Sequence, residues 1–541
     1  MRIAILCCLV ISVNFTVTAQ TIGQYLQQQL EPLVIGEGRF INNQPVHASE
    51  LVIAAYSANR FEPIWADLVY AAKALELIGE SGAEGLSPQD YHYDTISRFL
   101  NDIRQSPDEA LQAQFDILLT DAVMTYATHL IRGKVNPQSL TPTWNYELFN
   151  VSPSGAAAAL LRHVKEQTLH QGLSDLSPKL PQYQGLKDAL KFYSRLAESG
   201  VQEQVQLSET VLRPGESGPA VPALRRQLAN LGYFEGQSDL VGALYDDELV
   251  SSVRQLQSHH GLSADGIIGR QTLEVLNRPY HQVVDQIRVN LERIRWVDNS
   301  LSERFLVVNI AGFELFLYQE GTLQWKTRVI VGRDYTKTPV FKEKLRYIVV
   351  NPTWTVPRSI GGGIIEKQKR DPDYLSQKDF IVVDNRRNPV DPASINWASM
   401  NRQNFPYWFV QTPSENNALG QIKFMFPNKY AIYLHDTPAK SLFDSETRTF
   451  SHGCVRVEKP FELAEYILSQ NAEWQTGDIA SIVETRQTEK IFLDQPLDIF
   501  LMYWTAMATR DGLHFYPDVY GRDAALLKQL QQPMTGHENN T

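Results

Sequence analysis

The chain has 541 residues, 43% of them hydrophobic and 21% charged, with a formal net charge of −11. That composition belongs to a folded globular protein, and the length accommodates roughly three or four domains at about 150 residues each. No basic stretch is long enough to track a phosphate backbone, which argues against nucleic acid as a partner.

The first twenty residues read MRIAILCCLVISVNFTVTAQ. Arg2 supplies a positive start, an apolar run follows to Val17, and Val17-Thr18-Ala19 has the small-residue pattern of a signal-peptidase site. Residues 1–19 are therefore expected to be a signal peptide, with an uncleaved anchor as the alternative. The run is short for a span of about 20 residues. No other segment is apolar enough to cross a bilayer, so no membrane span is expected after cleavage. Export implies an oxidising compartment. Cysteines occur at Cys7, Cys8 and Cys454, so the mature protein would keep one thiol, either buried and inert or a nucleophile.

Residues 20–205 read as a mainly helical scaffold. The clearest helix lies in SPDEALQAQFDILLTDAVMTYATHLIRGKV. Ser106 and Glu109 match a capping box, with Pro107 at the first helical position. Leu111, Phe115, Leu118, Ala122 and Leu130 form one apolar face, and Gly133 ends it. No site chemistry is legible here.

Residues 206–278 read as a small three-helix unit. Leu224, Leu228 and Leu231 line the first helix, Leu249, Val253 and Leu256 the second, and Leu273 and Leu276 a short third. Asp265-Gly266 and Gly269 make the turn between the last two. This order of pieces resembles the peptidoglycan-binding module found beside many cell-wall enzymes. The resemblance implies docking to wall polymer, with a spacer lacking affinity as the alternative. Residues 279–303 read as a connecting helix.

From residue 304 the periodicity changes to that of strands: Leu306 to Ile310, Phe313 to Gln319, and Leu323 to Val331 after the turn Glu320-Gly321. LRYIVVNPTW and KYAIYLHD add two more, giving a mostly β domain over 304–485. Residues 358–410 interrupt it. Gly361-Gly362-Gly363 lacks the G-K-[ST] tail of a phosphate loop and is expected to be a hinge, with the polar run after it forming a mobile lid. Residues 486–541 form an aromatic-rich C-terminal extension expected to pack on a domain.

The chemistry gathers at TFSHGCVRVEKP, residues 449–460. A cysteine attacks as its thiolate and needs a proton acceptor, together with donors for the oxyanion it creates. His435, at the end of the strand YAIYL, is the candidate base for Cys454. The N–H groups of His452, Gly453 and Cys454 are expected to converge as an oxyanion hole, because Gly453 permits backbone angles that other residues avoid. Asp436 reads as a turn residue rather than the orienter of the imidazole, a task a backbone carbonyl can perform instead.

The spacing from His435 through fifteen residues to Ser451-His452-Gly453-Cys454-Val455-Arg456 resembles the signature of the L,D-transpeptidases, the YkuD-type catalytic domain. NPTWTVPRSI, NALGQIKFMFPNKYAIYLHDTP and YWTAMATRDGLHFYPDVYGRD resemble the large periplasmic branch of that family. The resemblance implies a multidomain α+β protein: a helical scaffold, a peptidoglycan-binding module, and a catalytic domain with an inserted capping subdomain at 358–410. It makes Cys454 the nucleophile and His435 the general base. Ser451, His452 and Gly453 shape the oxyanion site, Arg456 lies beside them, and Tyr433 lines it.

The activity implied is thioester acyl transfer between peptidoglycan stem peptides, forming 3→3 cross-links, with carbapenems as typical inhibitors. An L,D-carboxypeptidase and a non-catalytic wall-binding scaffold are the alternatives. No metal or cofactor is expected, since the chain has no H-E-x-x-H and no cysteine pair. Peptidoglycan stems and other cell-wall synthesis proteins are the expected partners, in the periplasm.

Overall fold

Buried apolar side chains gather in separate clusters, one for each unit the chain builds. The structure is a computed structural model. It describes residues 20–36, 40–146, 149–235, 242–297 and 301–534; the expected signal peptide lies outside them. Among the described residues no helix is long and apolar enough to cross a membrane.

The first cluster is the helical scaffold, wrapped around the helix Glu109–Arg132. Phe115, Leu118, Ala122 and Leu130 are buried as the apolar periodicity predicts, but the other faces are buried too, through Asp116, Thr120, Asp121 and His129. Those polar groups are satisfied. Asp116 accepts from the Ile64 and Trp65 N–H groups at 2.9 and 2.8 Å. Asp121 meets His92 Nε2 at 2.9 Å and the Ala48 N–H at 2.7 Å. The predicted cap is corrected: Asp108, not Ser106, accepts from the Leu111 N–H. Ser106 is already used as the C-terminal cap of the preceding helix, Tyr93–Gln105. A carboxylate also suits the positive end of the helix dipole.

The three-helix unit has its own core. Helices Val221–Asn230, Asp247–His259 and Arg270–Leu276 bury Leu224, Leu228, Leu249, Val253, Leu256 and Leu276. The Asp265 side chain accepts from the Ile267 N–H at 2.8 Å, an Asx turn of the kind its sequence announces.

Helix Tyr280–Arg295 does more than connect. It packs against helix Pro181–Glu198, and Asn290, Glu292 and Arg295 are almost wholly buried. Glu292 pairs with Arg295 at 2.8 Å and accepts from the Val135 N–H of the scaffold at 2.7 Å. Asn290 exchanges two hydrogen bonds with Thr505 of the C-terminal extension. A helix of this length, amphipathic by sequence, buries its polar positions only because three parts of the chain meet on it.

The β domain closes on itself. Strand Thr322–Gly332 pairs with Val455–Val457, which pairs with Leu434–His435, then Ile422–Met425, Phe341–Val350, Glu489–Met502, Arg304–Asn309 and Glu314–Gln319. Glu314–Gln319 pairs back onto Thr322–Gly332, so the ring is complete, with Thr449–Ser451 added outside. This corrects the expected boundary at 485. The extension does not merely pack on the domain: Glu489–Met502 is an internal strand, and without it Phe341–Val350 and Arg304–Asn309 would face each other unpaired.

Residues 354–411 form a folded subdomain. Strands Trp354–Thr355, Trp408–Gln411, Phe380–Val383 and Pro389–Val390 make a second sheet in that order. It has a separate core of Val356, Ile364, Ile365, Leu375, Phe380 and Phe409, among others. The expected glycine hinge is also corrected, since Gly361, Gly362 and Gly363 lie inside helix Arg358–Arg370. Apolar Ile364 and Ile365 anchor that helix, and burial outweighs the poor helix propensity of glycine.

Candidate active site

Strand alternation builds the candidate site. On three neighbouring strands, Ile422, Phe424, Leu434, Val455 and Val457 are fully buried in the core of the closed sheet. The residues between them, Lys423, Tyr433, His435, Cys454 and Arg456, therefore share the opposite face. Register fixes their neighbours: His435 lies beside Arg456 on one side and Lys423 on the other. The Val455 N–H donates to the Tyr433 carbonyl at 3.1 Å, which sets Cys454 level with Tyr433. Parallel pairing of two short strands thus brings together residues nineteen positions apart in the chain.

His435 is held from behind. Its Nδ1–H donates to the Asp436 main-chain carbonyl at 2.5 Å, leaving Nε2 as the acceptor. The Asp436 carboxylate is engaged elsewhere, accepting from the Gln421 N–H at 3.0 Å and pairing with Lys440 at 2.7 Å. Gly420 makes that approach possible: a Cβ there would sit 2.2 Å from Asp436 Oδ2. Burial first, then the Arg456 charge, push the imidazole down to about 3. It is neutral at pH 7 and able to accept a proton.

Cys454 is half-buried. Burial pushes its thiol up, opposed by the Tyr433 main-chain N–H and phenol and by the charges of Lys423 and Arg456. The thiol donates to the Ala431 carbonyl at 3.6 Å; the imidazole lies on the same face, level with Arg456, and takes no part in that hydrogen bond. Lys423 lies 3.8 Å from the centre of the Tyr433 ring; burial pushes its ammonium down, opposed by the Cys454 sulfur once that sulfur is ionised.

The turn before the cysteine is set by Ser451, whose Oγ accepts from the Gly453 N–H at 3.0 Å and donates to the Cys454 carbonyl at 2.6 Å. Gly453 adopts φ +114°, left-handed territory that favours glycine. Its carbonyl accepts from Thr338 Oγ1 at 2.8 Å. The expected oxyanion hole is thereby corrected: the Gly453 N–H is spent on Ser451. The N–H groups of His452 and Cys454 have no acceptor among the described residues and are the donors that remain. The His452 side chain is exposed.

Two residues around the site were missed by sequence reading. Lys423 alternates with buried residues as any solvent-facing lysine does, so its pattern carries no signal. Arg333 reaches the site only because its N–H donates to the Ser451 carbonyl at 3.0 Å, a contact across 118 positions. Among the described residues no cluster of histidine, cysteine and acidic side chains is placed to hold a metal ion.

Three family descriptions match this chain: an L,D-transpeptidase catalytic domain over residues 303–483, a "Putative peptidoglycan binding domain" over 217–276, and a scaffold domain over 50–190. A curated relative from Haemophilus influenzae, named "Putative L,D-transpeptidase", is 35% identical over 268 residues, which is 48% of this chain and 54% of the relative. The chain thus spans about half the length of that relative. L,D-transpeptidase structures from Stackebrandtia nassauensis and Xylanimonas cellulosilytica are 14% and 16% identical, cover 56% and 55% of this chain and 97% and 100% of their own, and give TM-scores of 0.21 and 0.18.

Proposed function

Starting from a catalytic domain of the L,D-transpeptidase family, we propose that this protein is a peptidoglycan L,D-transpeptidase acting in the periplasm through Cys454 and His435. The observation that carries the reading is the placement of these two side chains on one face of paired parallel strands, with the imidazole neutral and held by a main-chain carbonyl.

The steps follow from that arrangement. His435 Nε2 accepts the thiol proton as the sulfur of Cys454 attacks the carbonyl carbon of the third residue of a tetrapeptide stem. Lys423 and Arg456 lower the cost of the developing thiolate. The tetrahedral oxyanion is met by the His452 and Cys454 N–H groups. As the C–N bond breaks, His435 returns the proton to the leaving amine of D-alanine, and a thioester remains on Cys454. An amine from a neighbouring stem then attacks the thioester, sulfur leaves, and the proton passes back through His435. The product is a 3→3 cross-link. The three-helix unit, residues 206–278, would dock the enzyme on wall polymer, and carbapenems would acylate Cys454.

The test is mass spectrometry of the products that the purified protein makes from tetrapeptide muropeptides. Cross-linked dimer with release of D-alanine is the expected result. Tripeptide alone would make it an L,D-carboxypeptidase, with water taking the acyl group, and no product would reduce it to a wall-binding scaffold.

A further inference from the structure

The face that carries Cys454 holds three cations and no described acid to balance them. The charges acting on Arg456 are the Arg333 guanidinium and the Cys454 sulfur. Those acting on His452 are Arg333 and Arg456, and the one acting on Lys423 is again the sulfur. The Arg456 Nε is buried without a hydrogen-bond partner. Arg333 is anchored through its main chain to Ser451 and through its Nη1 to the Tyr335 hydroxyl at 2.8 Å. Two guanidiniums thus flank the His452–Cys454 turn, repelling one another in a partly dry setting. Such an arrangement is costly in the free protein and is relieved by an anion. Lys423 already serves the sulfur, whose thiol is neutral at rest. The planar donor fork of arginine matches a carboxylate.

We infer that Arg456 and Arg333 form a carboxylate subsite beside Cys454, which takes a free carboxylate of the stem peptide adjacent to the carbonyl under attack. This rests on the transpeptidase reading above. A stem offers that group in two places: the C-terminal carboxylate of the leaving residue, and a carboxylate on the side chain of the third residue. Either would be held about one residue from the sulfur. Binding through it would orient the scissile carbonyl and reject stems in which the group is masked, because the arginines would then be desolvated without a partner.

The experiment compares three synthetic tetrapeptide stems with the full-length enzyme. One has both carboxylates, one ends in D-alanine carboxamide, and one carries a third residue with a side-chain amine but no side-chain carboxylate. The wild type should lose about tenfold or more in kcat/KM on one masked peptide, and which one names the source. Arg333→Gln should act on the unmasked peptide mainly through KM and Arg456→Gln through KM and kcat together, and both should treat masked and unmasked peptides alike. Arg456→Lys, which keeps the charge and loses the fork, should retain part of the discrimination and guards against a misfolded Gln variant.

Alkylation of Cys454 by iodoacetamide should stay near the wild-type rate in Arg333→Gln, whose charge is not among those acting on the sulfur. A wild type indifferent to both masks, or variants that lose activity on all three peptides by one factor while alkylation falls in step, would overturn the subsite and leave the arginines as activators of the thiol. If the wild type turns over none of the peptides, it is the transpeptidase reading that fails. Calorimetric binding of the same peptides to Cys454→Ala then reads the subsite separately: preference for the unmasked peptide supports it, and equal affinities overturn it.

Discussion

Glu446 accepts a hydrogen bond from Ser263 Oγ at 2.7 Å and a second from the Ser263 N–H at 3.1 Å. Ser263 belongs to the three-helix unit, and Glu446 to the loop between His435 and Cys454. The unit expected to dock on cell wall therefore touches the segment that joins the proposed base to the proposed nucleophile. Glu446→Ala should speed hydrogen exchange in residues 437–448 and leave sedimentation with wall sacculi unchanged. Deleting 206–278 should speed the same exchange and abolish sedimentation. Exchange unaltered in both proteins would mean that the contact carries no coupling.

Cys454→Ala should lose at least ~10³-fold in turnover of tetrapeptide muropeptides, by analogy with other nucleophile removals. Its melting temperature should hold, because a half-buried side chain at the end of a short strand is lost. Cys454→Ser should be nearly as inactive, since the hydroxyl is far harder to ionise beside this imidazole. Wild-type turnover by the alanine variant would rule out the thioester route.

The imidazole of His435 should make acid destabilising. Its pKa is pushed down to about 3 in the folded protein and returns to the ordinary value near 6.5 on unfolding. Between those values the unfolded chain binds a proton that the folded one does not. Stability is therefore full above about pH 6.5 and is lost as pH falls toward 3, with a slope of up to about 1.4 kcal/mol per pH unit from this one group. Urea midpoints measured from pH 7.5 to 4 for wild type and His435→Gln should diverge, with the variant falling less steeply. Parallel curves would show that the histidine is not buried as a neutral group. The thiol moves the other way, so alkylation of Cys454 should rise with pH to a midpoint above the ordinary thiol value.

A chain ending at residue 485 should not fold as a catalytic domain, because the strand Glu489–Met502 closes the sheet. Phe500 and Leu501 within it are fully buried. Phe500→Ala in the full chain should cost about 3–5 kcal/mol in denaturant titration. A soluble, cooperatively melting product from the truncated chain would show that the ring tolerates an open seam.

Gly363 lies inside helix Arg358–Arg370, and a Cβ added there would meet nothing within 4 Å. Gly363→Ala should therefore stabilise that helix by about 0.5–1 kcal/mol and slow hydrogen exchange in residues 361–370. If the capping subdomain moves as a body over Cys454, exchange there should slow further on carbapenem acylation, and the alanine variant should retain its turnover. Turnover lost with the added helicity would show that the glycines bend during the reaction after all.

The buried pair Glu292–Arg295, with its contacts to Val135, shows how far the units depend on one another. Glu292→Ala should destabilise the protein by about 3–5 kcal/mol, since Arg295 would stay buried with its adjacent counter-charge gone and only Glu84 left to oppose it. A change below about 1 kcal/mol in the urea midpoint analysis would mean that Arg295 finds other compensation.

The sequence by itself determined the parts whose information is local. Apolar spacing placed the scaffold helix and the three small helices, and period-two alternation placed the strands. The run Ser451 to Arg456, with His435 ahead of it, suggested the chemistry proposed here, because a cysteine, its turn and a histidine are residue types at short range. What the tertiary structure decided is non-local. Glu489–Met502 looked like a packed tail because alternation says which face a strand buries and nothing about which strand it pairs. Lys423 reaches the thiol through cross-strand register, and Arg333 reaches the turn before it through a main-chain bond from a distant loop. The orienter of His435 is a backbone carbonyl, a group every residue carries, so its position is fixed by the turn that Gly420 and Asp436 share and by no side-chain identity. The helix through Gly361–Gly363 holds because Ile364 and Ile365 find a core made by strands that follow later in the chain, and that burial, absent from any local window, overrides what three glycines would do alone.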